Sequence, residues 1–253
     1  MKRTDPLAIG DFLSRNGLTK QSLQDAAQAK AAYHRMTPAL RFDLQEREAF
    51  DMLMDFYQTE VLDRHMEFIS DDNVTTVIAE TVMHMVQMFP SPGLLLCGST
   101  GNGKTTLAKA FKRMCQRLDS TGHFKYMGEY FKFESRFLKG LEICDIASSK
   151  SEDDFNELKN IPLLVIDDTG EEPREVLDYG NVSHPVRRLI EDRYERLKFT
   201  ILTTNLVPDD IKAQYGLRVF DRLEELYLKI IFRGTSYRLK AKRFESPKPE
   251  LNQ

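Results

Sequence analysis

The sequence predicts an α/β fold in which a parallel sheet is flanked by helices, preceded by a helical amino-terminal extension. Three observations carry that expectation. Beyond residue 93 the chain alternates short apolar runs with helix-forming stretches, the pattern of strands joined by crossover helices. A glycine-rich loop, Gly98 to Thr105, stands between one apolar run, Leu94–Cys97, and a helix-forming stretch, Thr106–Arg117. A second run, Leu163–Ile166, is continuous enough to be buried on both faces and ends in two carboxylates, Asp167 and Asp168.

The elements are justified in chain order. Residues 1–70 read as a helical extension, either a cap on the main domain or a separate module that holds a partner. Asp11-Phe12-Leu13 opens one amphipathic segment, Thr19 suits the cap of another over Lys20–Tyr33, and Leu40–Phe68 carries apolar residues at helical spacing. Residues 71–240 read as the main domain. Asp72-Asn73 caps a helix over Val74–Phe89, with Val77, Ile78, Val82, Met85 and Val86 on one face, and Pro90-Ser91-Pro92-Gly93 ends it. Leu94–Cys97, Phe124–Met127, Leu163–Ile166 and Phe199–Thr203 are the expected strands of the sheet. Residues 241–253 read as a basic, disordered tail, interrupted by Pro247 and Pro249.

Composition narrows the classes. With 41% apolar and 30% charged residues, the 253-residue chain is expected to be soluble, with enough length for a sizeable core. Met1–Gly10 lacks the apolar stretch of a secretory signal, and no apolar run approaches a membrane span. Cys97, Cys115 and Cys144 are odd in number and unpaired in spacing, which argues against a disulfide framework or a zinc site and for reduced thiols in the cytoplasm. The net charge of −3 leaves nucleic-acid binding to a local basic face.

The loop Gly98-Ser99-Thr100-Gly101-Asn102-Gly103-Lys104-Thr105 fits G-x-x-x-x-G-K-[ST]. Glycines let main-chain N–H groups close around an oligophosphate, and the helix that follows, with Thr106 in its first turn, adds a positive dipole end. Lys104 is expected to bridge the terminal phosphates of ATP, and Thr105 to ligate Mg²⁺. Asp167 is the second expected metal-holding group, and Asp168 the residue that orients or deprotonates the attacking water. Asn205 ends the run Thr200-Ile201-Leu202-Thr203-Thr204, where an amide suits either the γ-phosphate and water or an ordinary turn. Arg218 and Arg222 lie four apart and share a helix face, and Arg238 follows in Ser236-Tyr237-Arg238.

In order and content these pieces resemble the AAA+ ATPases of the bacterial helicase-loader group (DnaC-type), whose blueprint the transposition helper ATPases (IstB-type) share. The similarity spans Gly93 to Arg238, with Arg193 to Glu195 part of it. The resemblance implies Walker A at Gly98–Thr105, Walker B at Leu163–Asp168, sensor 1 at Asn205, and sensor 2 at Arg238. It implies an arginine finger at Arg222, or else Arg218. It further implies a homo-oligomeric ring or spiral with ATP at each junction, acting on a replicative helicase or a transposase at single-stranded or double-stranded DNA. Two departures stand out. Asp168 replaces the glutamate that many AAA+ proteins carry, which points to slow hydrolysis, and Glu171–Ser183 is long and acidic. Phe124, Lys125, Tyr126, Tyr130, Phe131, Lys132, Phe133 and Arg136 interleave aromatics with cations, which suits either single-stranded DNA or a core-facing strand.

Overall fold

A computed structural model describes residues 40–87, 90–121, 124–126, 133–149, 152–178 and 181–243. The segments expected at Asp11–Leu13 and Lys20–Tyr33, and the tail beyond Arg243, lie outside the described residues. The described residues fall within one compact unit.

Five parallel strands make the central sheet, in the order β4 (Ser135–Lys139), β5 (Leu163–Thr169), β8 (Phe199–Thr204), β2 (Gly93–Gly98) and β9 (Tyr227–Phe232). The alternation of side chains along each strand divides two cores between its faces. Leu94, Leu96, Leu163, Val165, Phe199 and Ile201 face one cluster with α1 (Glu46–Leu62), α2 (Asp72–Val86) and α3 (Lys104–Thr121). Leu95, Leu164, Ile166 and Leu202 face the other, closed by α4 (Gly140–Ser148), α5 (Glu152–Asn160), α6 (Pro185–Glu195), α7 (Pro208–Tyr215) and α8 (Leu217–Leu226). Because both faces are covered, Leu163–Ile166 of β5 reads as an unbroken apolar run, and every residue of β8 is buried. Phe111 of α3 stacks on Phe199 of β8 at 5.6 Å between ring centroids, which seats α3 across the sheet.

Three expectations are corrected. Phe124–Tyr126 is a strand, β3, but it pairs antiparallel with β1 (Leu40–Phe42) in a separate two-stranded sheet. The parallel sheet instead takes Ser135–Lys139 and Tyr227–Phe232 as its two edges, both partly polar runs that burial on one side permits. Leu40–Phe68 is therefore a short strand followed by a helix ending at Leu62. The cap of α2 is Asp71, whose carboxylate accepts the Val74 N–H at 3.0 Å, one residue earlier than the sequence pattern suggests. The acidic stretch Glu171–Ser183 contains a hairpin of β6 (Val176–Asp178) and β7 (Asn181–Ser183).

Cys97, Cys115 and Cys144 are free. Burial pushes all three thiols upward, Cys144 to about 11, so they are small apolar side chains rather than nucleophiles. Among the described residues, no helix is long and apolar enough to cross a membrane.

Candidate nucleotide site

The carboxyl ends of β2, β5 and β8 open into one cavity of about 330 Å³, large enough for a nucleotide-sized ligand. This is where an open parallel sheet offers its loops and helix N-termini. The loop Thr100–Thr106 forms its floor. Gly101 takes φ +80° and Gly103 φ +104°, conformations that strain any residue with a Cβ. Each glycine also packs where a Cβ would collide, Gly101 against Ser236 and Gly103 against the Tyr57 hydroxyl. The loop is braced from the far edge of the sheet: Asn102 Nδ2 donates to Phe232 O at 3.1 Å, and Tyr237 N–H donates to Gly101 O at 2.8 Å.

Lys104 is folded into the loop. Its Nζ donates to Gly98 O (2.7 Å), Ser99 O (2.8 Å), Asn102 Oδ1 (3.4 Å) and Asn205 Oδ1 (2.7 Å). Burial pushes the ammonium's pKa down, against the pull of Asp168 and Asp167. Thr105 Oγ1 donates to Asp167 Oδ1 at 2.9 Å, and Thr203 Oγ1 donates to the same oxygen at 2.7 Å. Asp167 is buried, and burial raises its pKa although both hydroxyl bonds oppose that shift. One hydroxyl and one carboxylate side by side at the end of a phosphate loop are the donors Mg²⁺ uses when phosphate oxygens and water complete its octahedron.

Asp168 owes its aim to a break in the sheet. The β5–β8 register shifts between Ile166 and Thr169, where Asp168 takes φ +54°. Threonine hydroxyls of both strands replace the lost ladder bonds: Asp168 N–H donates to Thr203 Oγ1 (2.9 Å), Thr169 Oγ1 donates to Thr203 O (2.7 Å), and Thr204 Oγ1 donates to Thr169 O (2.8 Å). The bulge turns Asp168 to the cavity, 3.7 Å from Lys139 Nζ. Asn205 lines the same cavity and donates from Nδ2 to Glu171 Oε1 at 3.4 Å.

Thus Lys104, Thr105, Asp167, Asp168 and Asn205 meet in one place. Arg238, in α9 (Tyr237–Lys240), lines the cavity from the C-terminal side. Arg218 and Arg222 do not line it. They share a face as the spacing predicts and reach Glu195 Oε1 at 3.7 and 3.1 Å, with Arg222 lying over the Tyr194 ring. Arg136 pairs with Glu157 at 3.0 Å and Phe133 packs on the α1–α3 core, while the side chains from Phe124 to Lys132 lie outside the described residues.

Sequence reasoning missed several participants. Thr203 and Thr204 hold the bulge, and the repeated threonine before Asn205 was the available signal. Lys139 and Glu171 carry no motif. The far wall of the cavity is apolar, with Val61, Met66, Phe68 and Ile69. A bridge between Met66 and Arg243, and Glu67 N–H donating to Lys242 O at 2.9 Å, tie that wall to the C-terminal segment. Tyr237 latches the segment at its other side: its hydroxyl donates to the Asp71 carboxylate at 2.8 Å and accepts from Asn73 Nδ2 at 3.3 Å. No local pattern marks residues joined across such distances.

Among the families of known proteins, the model described as IstB-like ATP binding protein matches residues 66–245. None of the curated proteins matches the sequence. Among solved structures, the chain is similar to the DnaC helicase loader, at 22% identity and TM-score 0.49 over 70% of this chain and 98% of that one. It is similar to DnaI at 20% identity and TM-score 0.48, over 67% of this chain and 87% of that one. AMPPCP-bound DnaA from Aquifex aeolicus follows at 18% identity and TM-score 0.41, over 64% of this chain and 48% of that one.

Proposed function

The chain belongs to the IstB-like ATP-binding protein family and has the AAA+ P-loop fold, and on that premise we propose that it binds and slowly hydrolyses Mg²⁺–ATP to load or remodel a replicative helicase on DNA. The observation that carries the ATPase reading is the convergence of two hydrogen-bonded pairs, Lys104 with Asn205 and Thr105 with Asp167, at the ends of three different strands.

In this reading the loop amides and Lys104 hold the phosphates, and the apolar wall of Val61, Met66 and Phe68 receives the base. Thr105 and Asp167 would hold Mg²⁺, which would supply positive charge against the phosphates. Asp168 orients the attacking water, with Asn205 fixing both Lys104 and the water's neighbourhood. A carboxylate one methylene shorter than glutamate reaches less far, which suits a slow switch. Arg238 addresses the outer phosphate as sensor 2 from the same subunit.

Arg222, or else Arg218, serves as the finger offered to a neighbouring subunit in a ring or spiral. Its position outside its own cavity supports that role. Mixing Lys104→Ala subunits with Arg222→Ala subunits tests it. Partial rescue of ATPase activity is expected, and no rescue at any ratio rules out shared sites. For the helicase reading, the measurement is co-purification with the host's replicative helicase, with and without residues 1–70. Absence of binding in both defeats it.

The family match favours a second reading, an IstB-type helper that binds target DNA for a transposase. ATP-dependent filaments on duplex DNA, together with no affinity for the helicase, would select it.

A further inference from the structure

One cation approaches the phosphate loop from a side that no motif supplies. Arg64 follows α1, and its Nη2 donates to Thr106 Oγ1 at 3.1 Å. Thr106 stands in the first turn of α3. The hydrogen bond from Leu107 N–H to Gly103 O, at 3.0 Å, is the first that helix can make. The Thr106 N–H therefore has no helical carbonyl to meet and lies at the positive dipole end. Arg64 places a guanidinium beside an amide already disposed to take an anionic oxygen.

Among the described residues, Arg64 has no close carboxylate of its own. Its nearest carboxylate, Glu60, is buried and already has a close partner: Arg113 Nε lies 2.7 Å from Glu60 Oε1, whereas Arg64 Nη2 is 3.8 Å from Glu60 Oε2. Arg64 is half exposed and lines the same cavity as Lys104 and Arg238. It enters beside Val61 and Met66 of the apolar wall, while Lys104 is bonded on the opposite side, to Gly98, Ser99 and Asn205.

We propose that Arg64 is a nucleotide-binding residue that grips the inner phosphates, α or β, and not the γ-phosphate. The inference rests on the nucleotide reading of the cavity. A fork of donors on a diphosphate binds ADP and ATP alike, so Arg64 raises affinity for both and retains ADP after turnover.

The test is titration of the full chain with Mg²⁺–ATP, Mg²⁺–ADP and adenosine, comparing wild type with Arg64→Gln and Arg64→Lys. Arg64→Gln is expected to weaken ATP and ADP equally, by about tenfold, and to leave adenosine unchanged. Arg64→Lys should recover part of the loss, because the charge remains and the fork does not. ADP affinity equal to wild type in Arg64→Gln overturns the proposal. So does a loss confined to ATP, which would move the contact to the γ-phosphate, or a matching loss for adenosine, which would reduce Arg64 to shaping the wall. Wild-type protein that binds neither nucleotide overturns the reading of the cavity itself, a result distinct from any of these.

Discussion

Strands β5 and β8 are tied together by polar side chains at both ends, and the two ends behave as opposites. At the amino ends, Arg193 of α6 is wholly buried. Its guanidinium donates to Leu158 O (2.6 Å), Ile161 O (3.0 Å), Phe199 O (2.6 Å) and Thr200 Oγ1 (2.8 Å). Those bonds point into the protein. At the carboxyl ends, Lys104 donates to Asn205 and Thr203 donates to Asp167, but these pairs border a cavity, and their charged groups have capacity left for a ligand. A buried cation with saturated donors is a strut. One whose acceptors are loop carbonyls beside an open cavity can exchange them for phosphate oxygens.

The largest expected effect comes from breaking the strut. Arg193→Ala takes the guanidinium from three core carbonyls, and should cost about 3–5 kcal/mol of stability. A thermal melt of the ligand-free protein should show a fall of about 10 °C or outright unfolding. An unchanged melt would mean that water replaces the guanidinium.

Lys104→Ala is the matching change at the other end. It should leave the ligand-free melt within a degree or two while lowering ATP affinity by about 100-fold or more, as the loss of a charge-assisted phosphate contact implies. Nucleotide titration checks it, and unchanged affinity would remove the loop from nucleotide binding. Asp168→Asn should keep ATP binding and lower turnover by about 100-fold, the scale of a lost general base. Normal single-turnover hydrolysis would transfer that role to another group, with Glu171, bonded to Asn205, the next to test.

Asp167→Asn sharpens the comparison most finely. Burial holds the Asp167 carboxyl above its ordinary pKa, so the folded state binds this proton more tightly than the unfolded chain. Ionising it as pH rises through the raised pKa costs stability, and a neutral amide escapes that cost. The ligand-free variant should therefore melt at or above the wild-type temperature at pH 7. The rise in melting temperature that Mg²⁺–ATP gives the wild type should be lost. In the wild type that rise should also fade on acidification through the raised pKa, at a higher pH than an exposed carboxylate would show. A variant that keeps the full Mg²⁺–ATP shift would free Asp167 of the metal.

The site was legible wherever its chemistry is contiguous. Gly98–Thr105 spells out the loop because closing main chain around phosphates demands glycines at fixed intervals, and Leu163–Asp168 spells out a buried strand ending in acids. Thr203-Thr204-Asn205 was legible as a strand end, though the hydroxyls' task was not. That task, holding the bulge at Asp168, exists only once β5 and β8 are paired. Edge strands β4 and β9 were illegible for a similar reason. Ser135–Lys139 and Tyr227–Phe232 keep polar residues that a one-sided edge tolerates, so they lack the unbroken apolar run of β5.

By itself, then, the sequence determined the phosphate loop, the acidic strand end, the α/β class and the two-arginine helix face. The tertiary structure alone decided that Phe124–Tyr126 leaves the sheet, that Arg193 is a strut, and that Arg64, Lys139, Glu171 and Tyr237 surround the loop. The division follows from the range of the forces involved. Backbone conformation and burial pattern are written in neighbouring residues, whereas the partner of a charge is set by which distant segments the packed sheet brings within about 3 Å of it.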